Sequence, residues 1–105
     1  MNDKFHKSIE EQAKLHQLLS NPSRLLILCS LAEKEMSVGE LAEVIGASMQ
    51  NTSQHLRLMR DKGVLITRRD GQTIYYQIAI NEMGAKCKQM LTCLEHKNQL
   101  IYLEA

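Results

Sequence analysis

Polar side chains that can form hydrogen bonds with bases cluster in one short segment of the chain. They are Gln50, Asn51, Ser53, Gln54 and Arg57, preceded by Ser48. Glutamine and asparagine can pair bidentately with adenine, arginine can do so with guanine, and serine can bond to either kind of base. At about 100° per residue, Gln50, Gln54 and Arg57 share one side of a helix. The segment has the side chains for reading DNA bases, although an ordinary solvated helix would also carry such residues.

The flanking residues predict two short helices joined by a turn. Ser37 and Glu40 have the spacing of a capping box at the start of the first helix. Gly46 can adopt the left-handed conformation that ends a helix, and Ser48 can cap the next one. The inward faces are expected to carry Leu41, Val44 and Ile45 in the first helix and Met49, Thr52, Leu56 and Met59 in the second. This pattern predicts a helix-turn-helix over residues 37–60, whose second helix usually enters the major groove.

A β-hairpin is predicted directly after the second of these helices. Residues 64–69 are strand-like, an Asp-Gly pair at 70–71 favours a tight turn, and residues 73–78 are rich in β-branched and aromatic types. A hairpin in this place makes the fold a winged helix. Arg68 and Arg69 precede the tip, where a wing can contact phosphates, which contribute affinity and register rather than sequence specificity.

Positive charge is concentrated in the same part of the chain. The whole sequence has 13 basic and 12 acidic residues, a formal net charge of +1. From residue 57 to residue 69 there is only one acid, Asp61, and the bases are Arg57, Arg60, Lys62, Arg68 and Arg69. Charge runs are usually just solvated surface, but one that coincides with a wing favours contact with the DNA backbone.

Further helices are predicted on either side of this unit. The first helix, about residues 4–19, offers Phe5, Ile9, Leu15, Leu18 and Leu19 for burial. A second helix starts at Pro22, after Asn21, and carries Leu25, Leu28, Cys29 and Ala32 along one face. The last helix, capped by Asn81 and reaching about Tyr102, has the stripe Met83, Cys87, Met90, Leu94 and Ile101.

A chain of 105 residues fits a single domain, residues 1–105, with a small core. Its expected parts are terminal helices at about 4–19 and 81–102, the helix-turn-helix at 37–60 and the wing at 64–78. The fold class is therefore mainly α with a small β-hairpin, in the order α-α-α-α-β-β-α. So small a core cannot easily cover both terminal helices, and pairing of two subunits would bury them. The alternative is that the last helix folds back on its own core.

Four motifs together resemble the ArsR/SmtB family of small bacterial repressors. They are NPSRLLIL at 21–28, SVGELA at 37–42, TSQHL at 52–56 and GQTIYY at 71–76. The similarity extends over roughly residues 12–95. It implies a homodimer, formed through the terminal helices, that binds double-stranded operator DNA and leaves it when an inducer binds. Such a dimer would place its two recognition helices about 34 Å apart on a near-palindrome.

The three cysteines, Cys29, Cys87 and Cys93, raise the question of the inducer. Cys87 and Cys93 are six residues apart, about 9 Å along a helix axis, and point to different sides. Disulfide Cα atoms lie within about 7 Å, so these two should not bridge within an intact helix. A thiol switch would join Cys29 to a cysteine of the last helix or cross the dimer. All three could instead be buried small hydrophobes.

The sequence Leu-Ile-Leu-Cys that ends at Cys29 resembles the branch of the family that senses oxidants and persulfides. That resemblance implies pairing of a second-helix cysteine with one on the last helix, and Cys93 is the candidate partner. A metal-sensing alternative would use Cys93 and His96, which share a helix face, although zinc usually needs about four ligands. Reactive sulfur or an oxidant is thus the expected inducer, a metal ion is less favoured, and no cofactor is expected.

Other functional classes find little support in the sequence. There is no nucleophile elbow, no evident carboxylate pair and no glycine-rich phosphate loop, so an enzyme is not expected. The absence of a signal peptide core, of an apolar run of about 18 residues and of a disulfide framework favours a cytoplasmic protein. The remaining alternatives are a constitutive DNA-binding protein and a winged helix that binds another protein.

Overall fold

The computed structural model describes residues 2–92 of the chain, which form five helices and a small three-stranded sheet. The elements are α1 (Asp3–Leu18), α2 (Pro22–Leu31), β1 (Met36–Ser37), α3 (Val38–Ile45), α4 (Met49–Asp61), β2 (Leu65–Asp70) and β3 (Thr73–Ile78). A fifth helix, α5, begins at residue 82 and continues to residue 92. The predicted order of four helices, a hairpin and a last helix is confirmed, with β1 as an addition. Cys93, Leu94, His96 and Ile101, which the sequence predicts to lie on the last helix, fall outside the described residues.

Local hydrogen bonds explain where the helix-turn-helix begins. The Ser37 hydroxyl accepts from the Glu40 backbone N–H at 3.3 Å, and the Glu40 carboxylate accepts from the Ser37 N–H at 3.1 Å. This is the predicted capping box of α3. The hydrogen bonds that Glu40 accepts from Ser37 hold the pKa of its carboxyl below the usual range.

The turn between α3 and α4 is also built as predicted. Gly46 has a φ of 66°, and the next N–H, of Ala47, bonds to the carbonyl of Ala42. This backward bond satisfies a carbonyl at the end of α3, as in a Schellman motif. The Ser48 hydroxyl then accepts from the Asn51 N–H at 3.0 Å and starts α4.

The other three helices, α1, α2 and α5, begin at asparagine caps. In α1 the Asn2 side chain accepts from the Phe5 N–H at 2.9 Å. Asn21 accepts from the Arg24 N–H at 3.1 Å with Pro22 in the first helical position. Asn81 accepts from the Gly84 N–H at 2.8 Å, and its side-chain amide donates to the carbonyl of Gly63. The start of α5 is therefore fixed to the turn that follows α4.

The sheet is antiparallel, with strand order β1-β3-β2. In the hairpin, Leu65 faces Ile78 and Asp70 faces Thr73, which leaves a two-residue loop. Gly71, the first loop residue, has a φ of 64°, as tight hairpin turns require. The predicted wing is confirmed, whereas β1 was not predicted because two residues are too few to show an alternating pattern.

The core lies between α2, α3, α4 and the base of the hairpin. Its fully buried side chains include Ile27, Leu28, Leu41, Leu56, Met59 and Val64. The predicted burial of Thr52, Leu56 and Met59 is confirmed, but the expectation for Met49 was wrong, since its side chain is 53% exposed. Met49 is the first residue of α4, where the apolar face has not yet reached the core. Val44 is likewise exposed on α3.

The helices α1 and α2 bury only part of the faces predicted for them. Leu15, Leu18 and Leu19 are buried at the end of α1, whereas Phe5 and Ile9 are 48% and 54% exposed. In α2 the more deeply buried residues are Ile27, Leu28 and Leu31, while Ala32 is exposed. None of the helices within residues 2–92 is both long and apolar enough to span a membrane.

Candidate nucleic-acid interface

The outer side of α4 carries the polar residues that the sequence predicts to read DNA. The exposed residues on this helix include Gln50, Asn51, Ser53, Gln54 and Arg57. On the opposite side Thr52, Leu56 and Met59 are completely buried. The Thr52 hydroxyl donates to the Ser48 carbonyl at 2.8 Å, which satisfies this buried polar group. The helix is thus anchored by one side and presents a row of donors and acceptors on the other.

Ser48 lies at the exposed N-terminal end of the same helix. Its hydroxyl oxygen accepts the capping hydrogen bond from Asn51, and the hydroxyl hydrogen can still be donated outward. The positive end of the helix dipole also favours an anion at this place. Ser48 therefore combines a structural role with the polarity expected for a DNA contact.

The two wing arginines lie on opposite faces of the hairpin. Side chains alternate along a strand, so Arg68 shares a face with its cross-strand neighbour Tyr75, and Arg69 shares the other face with Ile74. Arg69 is exposed, and no described acid forms an ion pair with it. Its guanidinium is available to an external anion.

Arg68 is held by contacts within the protein. Its Nε donates to Glu35 Oε2 at 3.1 Å, its Nη2 donates to Oε1 of the same carboxylate, and its guanidinium carbon lies 4.8 Å from the centre of the Tyr75 ring. The hydrogen bond with Arg68 lowers the pKa of Glu35, and that with Glu35 raises the pKa of Arg68. Glu35 and Arg68 are 33 positions apart in the sequence. No local sequence pattern predicts this pair, and the sequence analysis did not find it.

Arg24 links α4 to the corner between α1 and α2. Arg24 donates from Nε to the carbonyl of Leu18, and its Nη1 lies 3.5 Å from Nδ1 of His55 on α4. Partial burial, and then the neighbouring Arg24 charge, lower the pKa of His55. A neutral imidazole can accept a hydrogen bond from the guanidinium, so this contact steadies α4 without adding charge beside Arg24.

The cysteines occupy different environments. Cys29 is half-buried on α2, where it packs against the core. Cys87 is completely buried on α5, and burial raises the pKa of its thiol to about 11. Cys93 and His96 lie outside the described residues. Between residues 2 and 92 there is no group of three or more metal-ligating side chains close enough to hold an ion.

Comparison with known proteins places this architecture in a family. The model of the arsR family of bacterial regulatory proteins matches residues 21–67. The HTH-type transcriptional regulator YgaV of Escherichia coli K12 is 44% identical over 87 residues, which cover 79% of this chain and 88% of that protein. Nodulation protein NolR of Rhizobium meliloti is 48% identical over 71 residues, or 68% of this chain, and the chain spans 58% of NolR's length.

A solved structure extends the similarity to the whole fold. The crystal structure of the transcriptional repressor BigR from Xylella fastidiosa matches with a TM-score of 0.82 and 32% identity, over 92% of this chain and 96% of that one. The protein is a winged helix-turn-helix regulator, and it belongs to the ArsR family. The predicted resemblance is confirmed. The relatives are transcriptional regulators and repressors, which agrees with the expectation that the chain is not an enzyme.

Proposed function

We propose that this regulator is a homodimeric repressor that reads operator DNA through α4 of each subunit and leaves it when Cys29 is oxidised or persulfidated. DNA reading is supported by the exposed polar residues along α4, together with a wing on which Arg69 is exposed and forms no ion pair with a described acid. A protein-interaction module would not need glutamine, asparagine and arginine side chains in this arrangement. We propose no membrane partner for the protein.

The roles of the individual residues follow from what each can bind. Gln50, Gln54 and Arg57 contact base edges, with Asn51 and Ser53 at the flanks of the same surface. Ser48 and Arg69 bind phosphates, which set the register of the helix in the groove. Two such surfaces related by a twofold axis would fit a near-palindrome with half-sites about one DNA turn apart.

The dimer is supported by the exposed apolar face of α1. Phe5 and Ile9 are four residues apart, so they lie on the same side of the helix, and each is about half exposed. Apolar side chains of this size gain free energy when a partner surface covers them. The terminal helices are therefore proposed as the subunit interface.

The inducer is proposed to act on Cys29 and Cys93. Two thiols that form a disulfide lose two electrons and two protons to an oxidant. A persulfide donor, RSSH, instead transfers its outer sulfur to Cys29 and leaves as the thiol RSH; attack of the second cysteine on the inner sulfur of that persulfide then forms the disulfide and releases hydrogen sulfide. Cys29 is only partly buried, whereas Cys87 is enclosed and keeps its proton, which makes Cys87 a poor partner. A cross-link between α2 and the last helix would act on the helices that flank the recognition unit.

DNA binding by the wild-type protein and two variants tests the first part of the proposal. Gln54→Ala should weaken binding to the operator by about 1–3 kcal/mol while leaving non-specific binding intact, because it removes a base contact. Arg69→Ala should weaken binding to all sequences about equally, because it removes a phosphate contact. Gel shifts with genomic fragments at several salt concentrations would measure both. Salt-independent binding, or unchanged non-specific affinity in Arg69→Ala, would contradict the interface.

The thiol switch is tested by the intact mass of the protein and its DNA affinity on the same samples, reduced and after oxidant or persulfide treatment. A cross-link that maps to Cys29 and Cys93, together with weaker DNA binding, is expected. Cys29→Ser should bind DNA when reduced but lose the response, and Cys87→Ala should keep it. A response that persists in Cys29→Ser would rule out Cys29 as the sensor. If neither mass nor affinity changed, metal titration would be the next test.

A further inference from the structure

The ion pair between Glu35 and Arg68 crosses the whole sheet of the wing. Glu35 immediately precedes β1, Arg68 lies on β2, and β3 runs between these two strands. Tyr75 of β3 is the register partner of both Arg68 and Ser37. The Arg68 side chain therefore reaches from β2 across the Tyr75 ring of β3 to Glu35 at the start of β1.

Glu35 binds the guanidinium of Arg68 along one edge, through Nε and Nη2. Nε and Nη2 donate to the two oxygens of one carboxylate, in the forked arrangement that arginine forms with carboxylates. The cation also lies over the face of Tyr75. Both side chains remain partly exposed, at 46% for Arg68 and 36% for Glu35, so a phosphate that approached Arg68 would have to compete with Glu35 for the guanidinium.

We propose that Glu35 withholds Arg68 from the DNA backbone, so that Arg69 alone supplies the phosphate contact of this part of the wing. Glu35 thereby becomes a residue that limits non-specific affinity. This inference rests on the proposed DNA-binding function, and it assigns different roles to two adjacent arginines that the sequence places together.

The charges that would remain explain why Arg68 stays with Glu35. If Arg68 moved from Glu35 to a phosphate, it would exchange one anion for another and leave an uncompensated carboxylate near the DNA. That carboxylate would repel phosphates and attract a cation, which cancels the counterion release on which phosphate binding depends. Arg69 has no described acid as a partner, so its contact with a phosphate carries no such loss.

Specificity follows from this arrangement. Phosphate contacts strengthen binding to every sequence, whereas base contacts distinguish one sequence from another. A wing with one phosphate contact fewer therefore binds non-specific DNA more weakly and leaves the discrimination to α4. Glu35 contributes to selectivity without touching a base.

The salt dependence of binding to non-specific duplex DNA tests the inference. Glu35→Ala should bind more tightly at low salt, and the slope of log K against log salt should steepen by about 0.9, the value for one added phosphate contact. Glu33→Ala is the matched control, because Glu33 is an exposed acid two positions away without a described ion pair. It should keep the wild-type slope. Circular dichroism and thermal melting of each variant establish that the fold is intact.

The double variant Glu35→Ala/Arg68→Ala identifies the source of the effect. Its slope should return to the wild-type value, because the released arginine is no longer present. A steepened slope in the double variant, an unchanged slope in Glu35→Ala, or weaker binding by Glu35→Ala would each overturn the inference. The proposed function fails separately, if the wild-type protein shows no salt dependence or if Arg69→Ala keeps the wild-type slope.

Discussion

At the scale of single residues, burial decides which thiols can react. The thiolate is the reactive form of cysteine, so a raised pKa suppresses both oxidation and alkylation. Cys87 is completely enclosed by the core, and its pKa of about 11 keeps it protonated at neutral pH. Cys29, half-buried on α2, is the described cysteine that a small reagent can approach.

The environment of Cys87 predicts slow alkylation in the folded protein. At pH 8, a thiol with a pKa near 11 is about 0.1% ionised, whereas one with the ordinary value of about 8.5 is roughly a quarter ionised. The rate at Cys87 should therefore be at least about two orders of magnitude lower in the native protein than in urea. It should rise as the pH approaches the raised pKa, because the thiolate fraction increases. Mass spectrometry after timed iodoacetamide treatment measures this, and equal rates in buffer and in urea would contradict it.

At the scale of elements, the turn between α3 and α4 sets the orientation of the recognition helix. The turn depends on Gly46, whose positive φ suits a residue without a Cβ. A second glycine, Gly39, lies within α3, the helix that ends at this turn, and has ordinary helical geometry. An added Cβ at Gly39 would lie in normal contact, 3.9 Å from the Met49 sulfur. Alanine is therefore expected to be unfavourable at Gly46 and favourable at Gly39.

Alanine at these two glycines should change stability in opposite directions. Gly46→Ala should lower the free energy of unfolding by about 1–2 kcal/mol, the cost of a left-handed conformation for a residue with a Cβ. Gly39→Ala should raise it by up to about 0.5–1 kcal/mol, because alanine loses less backbone entropy in a helix. Urea denaturation measures both values. A stabilised Gly46→Ala variant would mean that the turn does not require its left-handed residue.

Features with a local cause could be predicted from the sequence. The capping box at Ser37 and the glycine turn at Gly46 depend on residues within a few positions of one another, and both were found where expected. The hairpin turn was predicted to within one residue: its loop is Gly71 and Gln72 rather than Asp70 and Gly71. The burial of Met49 was wrongly predicted, because helical periodicity gives the direction of a side chain but not where the core ends. The pair of Glu35 and Arg68 could not be foreseen, since it depends on β1 joining the sheet, and two residues carry no strand signal.

At the scale of the whole molecule, α1 is the element that a single chain leaves half covered. Its last turns pack through Leu15 and Leu18, while Phe5 and Ile9 remain exposed in the first turns. The family motifs cover the recognition unit and the wing, and in the proposed homodimer the terminal helices would hold two such units together. The distance between the recognition helices, and thus the spacing of the half-sites, would then depend on this interface.

Removing one apolar side chain from α1 should therefore weaken both assembly and operator binding. We expect Ile9→Gln to shift the protein towards monomer at a given concentration, because it removes apolar area that the partner would bury. Lys7→Gln is the control, since it lies about 200° away around the helix and should keep the wild-type assembly. Sedimentation over a range of concentrations measures the association, and gel shifts measure operator affinity. A variant that assembles as the wild type does would remove Ile9 from the interface, and one that dissociates yet binds the operator unchanged would show that two linked recognition helices are not needed.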